Sequence, residues 1–302
     1  MTRPPYLKAG AKVAIVSTAR KVSEEEMKPA MDLLGEWGLK VSLGKRLFHS
    51  LNQFAGTDED RTLDFQSALN DASIDAILFA RGGYGTVRII DNIDWNAFRK
   101  KPKWLIGFSD VTVTHNHVQQ NLGIETLHAP MAFNLPKLTN EARNKLKSVL
   151  FGETLQYEFD ENIFGDTIRN GEATGEMIGG NLSILYSLLG SPSSIDTSGK
   201  ILFLEDLDEY LYHIDRMMMA LKRARKLENL AGLIIGGMND MKDNKVRFNK
   251  TAEEIISEAV SEYKFPVIYG FPAGHIRNNM PLIFGRAVTM NVGVTSQIAF
   301  DE

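Results

Sequence analysis

Asp75-Ala76-Ile77-Leu78-Phe79-Ala80-Arg81-Gly82-Gly83-Tyr84-Gly85 and, further on, Trp104-Leu105-Ile106-Gly107-Phe108-Ser109-Asp110 show the same event twice: a short apolar run ending abruptly in a turn. Neither run alternates apolar with polar residues, so each reads as a strand covered on both faces. The first breaks into a glycine loop, and the second leads into a helix from Val111 to about Gln120. Upstream, Lys12 to Ser17 is another buried strand, and Ser23 before Glu24-Glu25-Glu26 is an N-cap with acidic residues favoured by the helix dipole. Met27, Ala30, Met31 and Leu34 continue at helical spacing until Gly38 closes the segment, and Leu39 to Leu43 is the next strand. Thr57 opens a further helix. Strands alternating with helices predict a mainly parallel sheet flanked by helices. Ligands gather at the carboxyl ends of such strands, where the Gly82-Gly83 and Ser109 turns fall.

Past Phe151 the rhythm changes. Gly152 to Gly175 is polar and turn-rich and reads as a connection. Beyond it come Glu176 to Asn181, a helix through Leu182, Leu185, Leu188 and Leu189, and a strand from Ile201 to Leu204 ending at Glu205. A long helix follows from about Tyr210 to Leu227, then strands at Gly232–Ile235, Val267–Tyr269 and Ala287–Val292. The expected architecture is therefore α/β in two domains. Residues 1–151 form a mainly parallel sheet with flanking helices, 152–175 a linker, and 176–302 a mixed α/β domain.

A chain of 302 residues suits two domains better than one core. Its formal net charge of −4 argues against the basic face that nucleic acid requires. With no cysteine, the chain has no thiol nucleophile, no disulfide framework and no cysteine-ligated metal. The N-terminal stretch carries no apolar segment of signal-peptide length, and no run approaches the roughly 20 apolar residues of a spanning helix. The expected location is the cytoplasm, with no membrane partner.

Ser109 stands out by its setting. Strand, turn and helix place its hydroxyl at an exposed corner, with the Asp110 amide at the helix N-terminus, as in a nucleophile elbow. Gly107-Phe108-Ser109-Asp110-Val111 lacks the second glycine of G-x-S-x-G, so a serine that merely caps the helix fits the same string. The Arg81-Gly82-Gly83-Tyr84-Gly85 loop is able to aim backbone N–H groups at negative charge, although a tight turn needing positive φ has the same composition. Glu205, directly after four apolar residues, is the member of the Glu205-Asp206-Leu207-Asp208-Glu209 cluster expected to point into a site. Most of the cluster's carboxylates are expected to be solvated or to serve the following helix. His275 lies at a strand exit bounded by Pro272 and Gly274, a position suited to proton exchange near neutral pH. His115 and His117, two apart on a helix, face nearly opposite ways and are poorly arranged for one metal. His49 and His213 read as surface or interdomain residues, and Met217-Met218-Met219 as core. Neither a metal nor a cofactor is expected.

Four separated strings add a further signal: Phe54-Ala55-Gly56-Thr57-Asp58 with Arg61, Arg81 to Gly85, Gly107 to Asp110, and Ile201 to Asp206. In this order they resemble the L,D-carboxypeptidase family of serine peptidases, which also includes the microcin C immunity proteins. Gly179-Gly180-Asn181-Leu182, Tyr212 with Ile214-Asp215-Arg216, and Gly274-His275 extend the match over nearly the whole chain. The resemblance implies a triad of Ser109, His275 and Glu205, split between the domains and so facing a groove between them. It implies an oxyanion hole from the backbone amides of Gly83 and Asp110. It also implies a homodimer, and removal of the terminal D-alanine from murein tetrapeptides during cell-wall recycling.

The microcin-immunity branch, acting on aminoacyl-adenylate-like compounds, is the alternative within the family. Its base-stacking aromatic has no counterpart in Gly190 to Thr197. An α/β-hydrolase esterase shares the Ser, acid, His order but ends differently after the histidine. A non-catalytic two-domain binding protein fits the alternating pattern without explaining three reactive residues at strand exits.

Overall fold

The computed structural model describes residues 1–160 and 169–302. The first sheet takes in β1 (Lys12–Val16), β2 (Lys40–Leu43), β3 (Ala76–Phe79), β4 (Trp104–Gly107) and β5 (Thr126–His128). Helices α1 (Glu24–Glu36), α2 (Asp58–Asn70), α3 (Asn96–Lys100) and α4 (Thr112–Leu122) connect them, and α5 (Asn140–Leu150) closes the first half. Ser23 and Glu26 form the reciprocal capping box at the start of α1, and Thr57 and Asp60 form that of α2. Side chains alternate across β1 into two cores. Val13 and Ile15 join the larger cluster, while Ala14 and Val16 join one with Phe65, Phe79, Phe98 and Leu105. Each fully buried Phe, Leu or Ile contributes about 1.5–3 kcal/mol, so covering both faces is what makes continuous apolar runs stable as strands.

The second sheet is built from β6 (Gln156–Asp160), β7 (Gly171–Asn181), β8 (Ile201–Leu207), β9 (Gly232–Asn239), β10 (Val267–Ile268), β12 (Ala287–Val292) and β13 (Thr295–Phe300), while β11 (Leu282–Phe284) lies elsewhere. Helices α6 (Leu182–Ser187), α7 (Leu211–Arg223) and α8 (Ala252–Ala259) belong to this half. The strand order is β10-β9-β8-β7-β12-β13-β6, with β7 to β10 parallel and β12, β13 and β6 antiparallel. The expected mixed α/β character of this half is observed.

Three features depart from the sequence reading. Within 152–175, residues 156–160 form β6 and 171–175 begin β7, so much of the supposed linker belongs to the second sheet; 161–168 lie outside the described residues. These segments alternate polar with apolar because one face is exposed, which made them look like loop. Second, β11 returns from the C-terminal half and pairs antiparallel with β5, Leu282 opposite His128, as the edge of the first sheet. Third, the largest core cluster runs through both halves, joining Ile15 and Trp104 to Phe203, Ile234 and Met290. Sheet order is therefore β11-β5-β4-β3-β1-β2, all parallel except the β11–β5 pair. Among the described residues no helix is long and apolar enough to cross a membrane.

Candidate active site

Ser109 stands two residues past Gly107, the end of β4, and begins a single 3₁₀ turn that leads into α4. Its φ of +61° lies in the left-handed region, where a side chain costs roughly 1–2 kcal/mol. Such a turn is too sharp for an ordinary helix start, and it presents the hydroxyl outward from the sheet. The preceding Phe108 is buried, and its ring centroid lies 4.8 Å from that of His275.

The partner residues come from the second half, Glu205 from the second sheet and His275 from the connection between β10 and β11. Glu205 lies on β8 opposite Asn181 of β7 and is fully buried. Beside it, the pairing of β8 with β9 slips: Leu204 faces Ile235, but Asp206 faces Met238. The extra residue on β9 falls at Gly236-Gly237, where the Gly237 N–H donates to the Ala273 carbonyl at 2.9 Å. The segment carrying His275 is thereby docked against β9. Gly274 adopts φ +108°, and a Cβ there would strike the Glu205 side chain, so glycine is required at this close approach.

His275 bridges the two halves. Its Nδ1 lies 2.6 Å from Glu205 Oε2, and its Nε2 lies 3.1 Å from Ser109 Oγ. A carboxylate accepts only, so Nδ1 carries the proton and Nε2 is the acceptor for the serine hydroxyl. Burial works against a charged imidazole, but the adjacent Glu205 carboxylate outweighs it and holds the His275 pKa above its ordinary value. The arrangement supplies a hydroxyl, a base positioned to take its proton, and a buried carboxylate to stabilise the imidazolium.

The Gly82–Gly85 loop packs against this pair. A Cβ on Gly82 would lie 3.1 Å from Ser109 Oγ, so the loop backbone runs beside the hydroxyl. Gly83 has φ +111°, and Asp110 immediately follows the serine. The Asp110 side chain is turned inward, where its Oδ2 accepts the Thr86 N–H at 2.9 Å. Burial pushes its pKa up.

Asp206 is where the sequence reading of the acidic cluster fails. It is buried, accepting from Asn181 Nδ2 at 2.9 Å, the Ser183 N–H at 2.8 Å and the Leu207 N–H at 2.8 Å. Burial, then the neighbouring Glu205 charge, pushes its pKa up to about 7. Asp208 and Glu209 behave as expected, pairing with Lys242 and His213. Met219 is exposed, unlike buried Met217 and Met218.

His115 and His117 diverge. His115 bonds the Gly107 carbonyl and Thr126 Oγ1, while His117 bonds Ser193 Oγ. Burial lowers the His115 pKa to about 4, so it is neutral packing behind β4. No group of metal-ligating side chains occurs among the described residues.

One further element had no clear signal in the sequence. A cavity of about 540 Å³ beside His275 is lined by Phe108, Asn134, Lys137, Leu207, Arg277 and Asn279, among others. Arg277 stands two residues from His275, but Lys137 and Asn134 reach the cavity only through the fold.

A serine in a left-handed turn after a strand of one sheet faces, through a histidine on the β10–β11 connection, a buried carboxylate of the other sheet, within a bipartite α/β fold. The chain belongs to the LD-carboxypeptidase family and is a hydrolase: the family's N-terminal domain matches residues 13–129 and its C-terminal domain residues 174–290. It is 35% identical over 293 residues to the probable murein peptide carboxypeptidase of Bacillus subtilis, covering 96% of this chain and 91% of that relative. Among solved structures it resembles the muramoyltetrapeptide carboxypeptidase from Oxalobacter formigenes, with TM-score 0.87 and 24% identity over 97% of this chain and 99% of that one. The microcin C7 self immunity protein shares the fold at TM-score 0.88 and 19% identity, with 98% of each chain covered.

Proposed function

We propose that the chain is a serine-type L,D-carboxypeptidase that removes the terminal D-alanine from murein tetrapeptides in cell-wall recycling. The observation that carries this reading is the continuous hydrogen-bonded chain from Ser109 Oγ through His275 to Glu205. In the mechanism, Ser109 Oγ attacks the carbonyl carbon of the third residue while His275 Nε2 takes the hydroxyl proton. The backbone amides of Gly83 and Asp110 hold the oxyanion. His275 then gives its proton to the leaving nitrogen, the C–N bond breaks, and D-alanine departs. Water, deprotonated by His275, attacks the acyl ester; the C–O bond to Ser109 breaks as His275 returns the proton to Oγ, and the tripeptide leaves as its carboxylic acid. No cofactor or metal takes part.

Ser109 comes from the N-terminal half and Glu205 and His275 from the C-terminal half, which supports a reaction in a groove between the halves. The protein works as a cytoplasmic homodimer on a small peptide, without nucleic acid or membrane. The 35% identical murein peptide carboxypeptidase relative supports this choice of substrate. Mass spectrometry of murein tetrapeptide incubated with the protein and with Ser109→Ala tests the assignment. Loss of one alanine with the parent alone is expected, and equal release by the variant would remove Ser109 from its role.

A further inference from the structure

The cavity beside His275 carries more polar capacity than its own structure uses. Asn279 is 2% exposed, and its Oδ1 accepts the Gly274 N–H at 2.9 Å. Its Nδ2 is buried on the cavity wall without an acceptor among the described residues. Asn134 Oδ1, on the same cavity, is likewise buried and unpartnered. Leaving such groups unsatisfied costs about 1–3 kcal/mol each, so a spare donor and a spare acceptor on two residues that line one cavity point to a ligand offering both.

The charge is equally one-sided. Lys137 and Arg277 both line the cavity, and neither side chain is ion-paired with a described residue. Among the described residues, Arg277 Nε donates to the Lys137 carbonyl alone, at 3.3 Å, and Lys137 Nζ sits 3.7 Å from the centre of the Phe133 ring. The nearby carboxylate of Glu141 is engaged by Asn278 Nδ2. Two cations and a buried amide donor, with apolar Phe108, Leu138, Leu207 and Ile276 between them, suit an anionic group on a peptide.

Resting on the carboxypeptidase reading, we infer that Arg277, Lys137 and Asn279 form the subsite for the C-terminal carboxylate of the departing residue. The position follows from the proton path. His275 must reach the leaving nitrogen, and the carboxylate is only two bonds further along the departing amino acid. It therefore lies on the His275 side of Ser109, where His275, Ile276 and Arg277 line the cavity. Asn134 Oδ1 is then an acceptor for a peptide N–H. This charge recognition would confine the enzyme to chain ends.

Binding to the Ser109→Ala protein, measured by calorimetry, separates the subsite from catalysis. Murein tetrapeptide with a free C-terminus is compared with its C-terminal amide and with a tetrapeptide carrying lysine instead of diaminopimelate at the third residue. The free acid is expected to bind at least about tenfold tighter than the amide. Adding Arg277→Met and Lys137→Met should bring that ratio near unity while amide binding stays close to the parent value. A ratio that survives both changes would overturn the assignment, as would no binding of either peptide. A preference that follows the third residue's side-chain carboxylate would overturn it too, because a different anion would then fill the cavity. Turnover by the parent is read separately. Binding that behaves as expected without D-alanine release would sink the proposed reaction and keep the subsite; release with an unchanged ratio would do the reverse.

Discussion

Glu205 meets His275 through a single oxygen: Oε2 accepts the ring Nδ1–H at 2.6 Å and the His275 backbone N–H at 3.2 Å. Two donors from one residue fix both the position of the histidine and the plane of its ring. The carboxylate is fully buried, so water does not compete for that oxygen. This contact ties the 271–275 segment to β8 and selects the tautomer that leaves Nε2 free for Ser109.

Glu205→Gln tests that role by pH. In the parent, burial disfavours the imidazolium, yet Glu205 raises the His275 pKa above the ordinary value. A base must be neutral to take the Ser109 proton, so activity falls as pH drops through that raised pKa. Glutamine removes the counter-charge and leaves the burial, so the pKa falls and the acid limb moves to lower pH. Meanwhile kcat should fall by roughly 10²–10⁴-fold. The pH dependence of kcat/KM for both proteins is the measurement; an acid limb that stays in place would show that Glu205 does not set the histidine's charge.

Gly83→Ala probes the proposed oxyanion contact. At φ +111° an alanine is strained, and its Cβ would press on the Arg20 side chain. Arg20 is exposed and able to swing aside, so the protein should fold with a loss of about 1–2 kcal/mol. The loop amide, however, would move. Oxyanion donors act in the transition state, so kcat should drop roughly 10²-fold or more with KM nearly unchanged. Steady-state kinetics decide it, and an unchanged kcat would place the oxyanion elsewhere.

The first sheet was legible because its strands are covered on both faces, and uninterrupted apolar runs such as Ala76–Phe79 and Trp104–Gly107 announce themselves. Ser109 and His275 stood just past apolar runs where their surroundings were already unusual, whereas Glu205, expected at a strand end, lies within β8, which continues to Leu207. The half-exposed strands β6 and β13 lack that signature. Strand β11 is three residues long and is set by pairing with β5 about half the chain away, which no local pattern encodes. Asp206 was misread for a related reason: one residue decides whether a carboxylate faces water or an Asn181–Ser183 turn, and the slip in β9 pairing shifts that choice.

Arg61 links the glycine loop to the first strand's exit. It is 1% exposed and donates through Nη1 to the carbonyls of Thr18, at 2.5 Å, and Gly85, at 3.0 Å, while Nη2 pairs with Asp58. A lysine lacks the fork needed to serve these acceptors together. Arg61→Lys is expected to cost about 2–3 kcal/mol in urea unfolding. It should also lower kcat more than it raises KM, because the loop carrying Gly83 loses its anchor. A stability loss with unaltered kcat would limit Arg61 to holding the fold.

Arg286 and Glu125 join the two sheets where the chain passes from β11 to β12. Arg286 Nη2 lies 2.6 Å from Glu125 Oε2, its Nε reaches both carboxylate oxygens, and Nη1 donates to Tyr6 Oη at 3.0 Å. Both residues are buried, so the pair's attraction is offset by the cost of desolvating two charges. Among the described residues, Arg286→Met leaves the Glu125 carboxylate with only the more distant Arg3 guanidinium, at 3.8 Å. That single change should cost about 3–5 kcal/mol, whereas combining it with Glu125→Met should recover most of the loss, because no buried charge remains. Urea unfolding of the parent, the two single variants and the double variant measures the coupling. A double variant as unstable as the worse single one would mean that the pair stabilises the junction in its own right rather than each charge mainly neutralising the other.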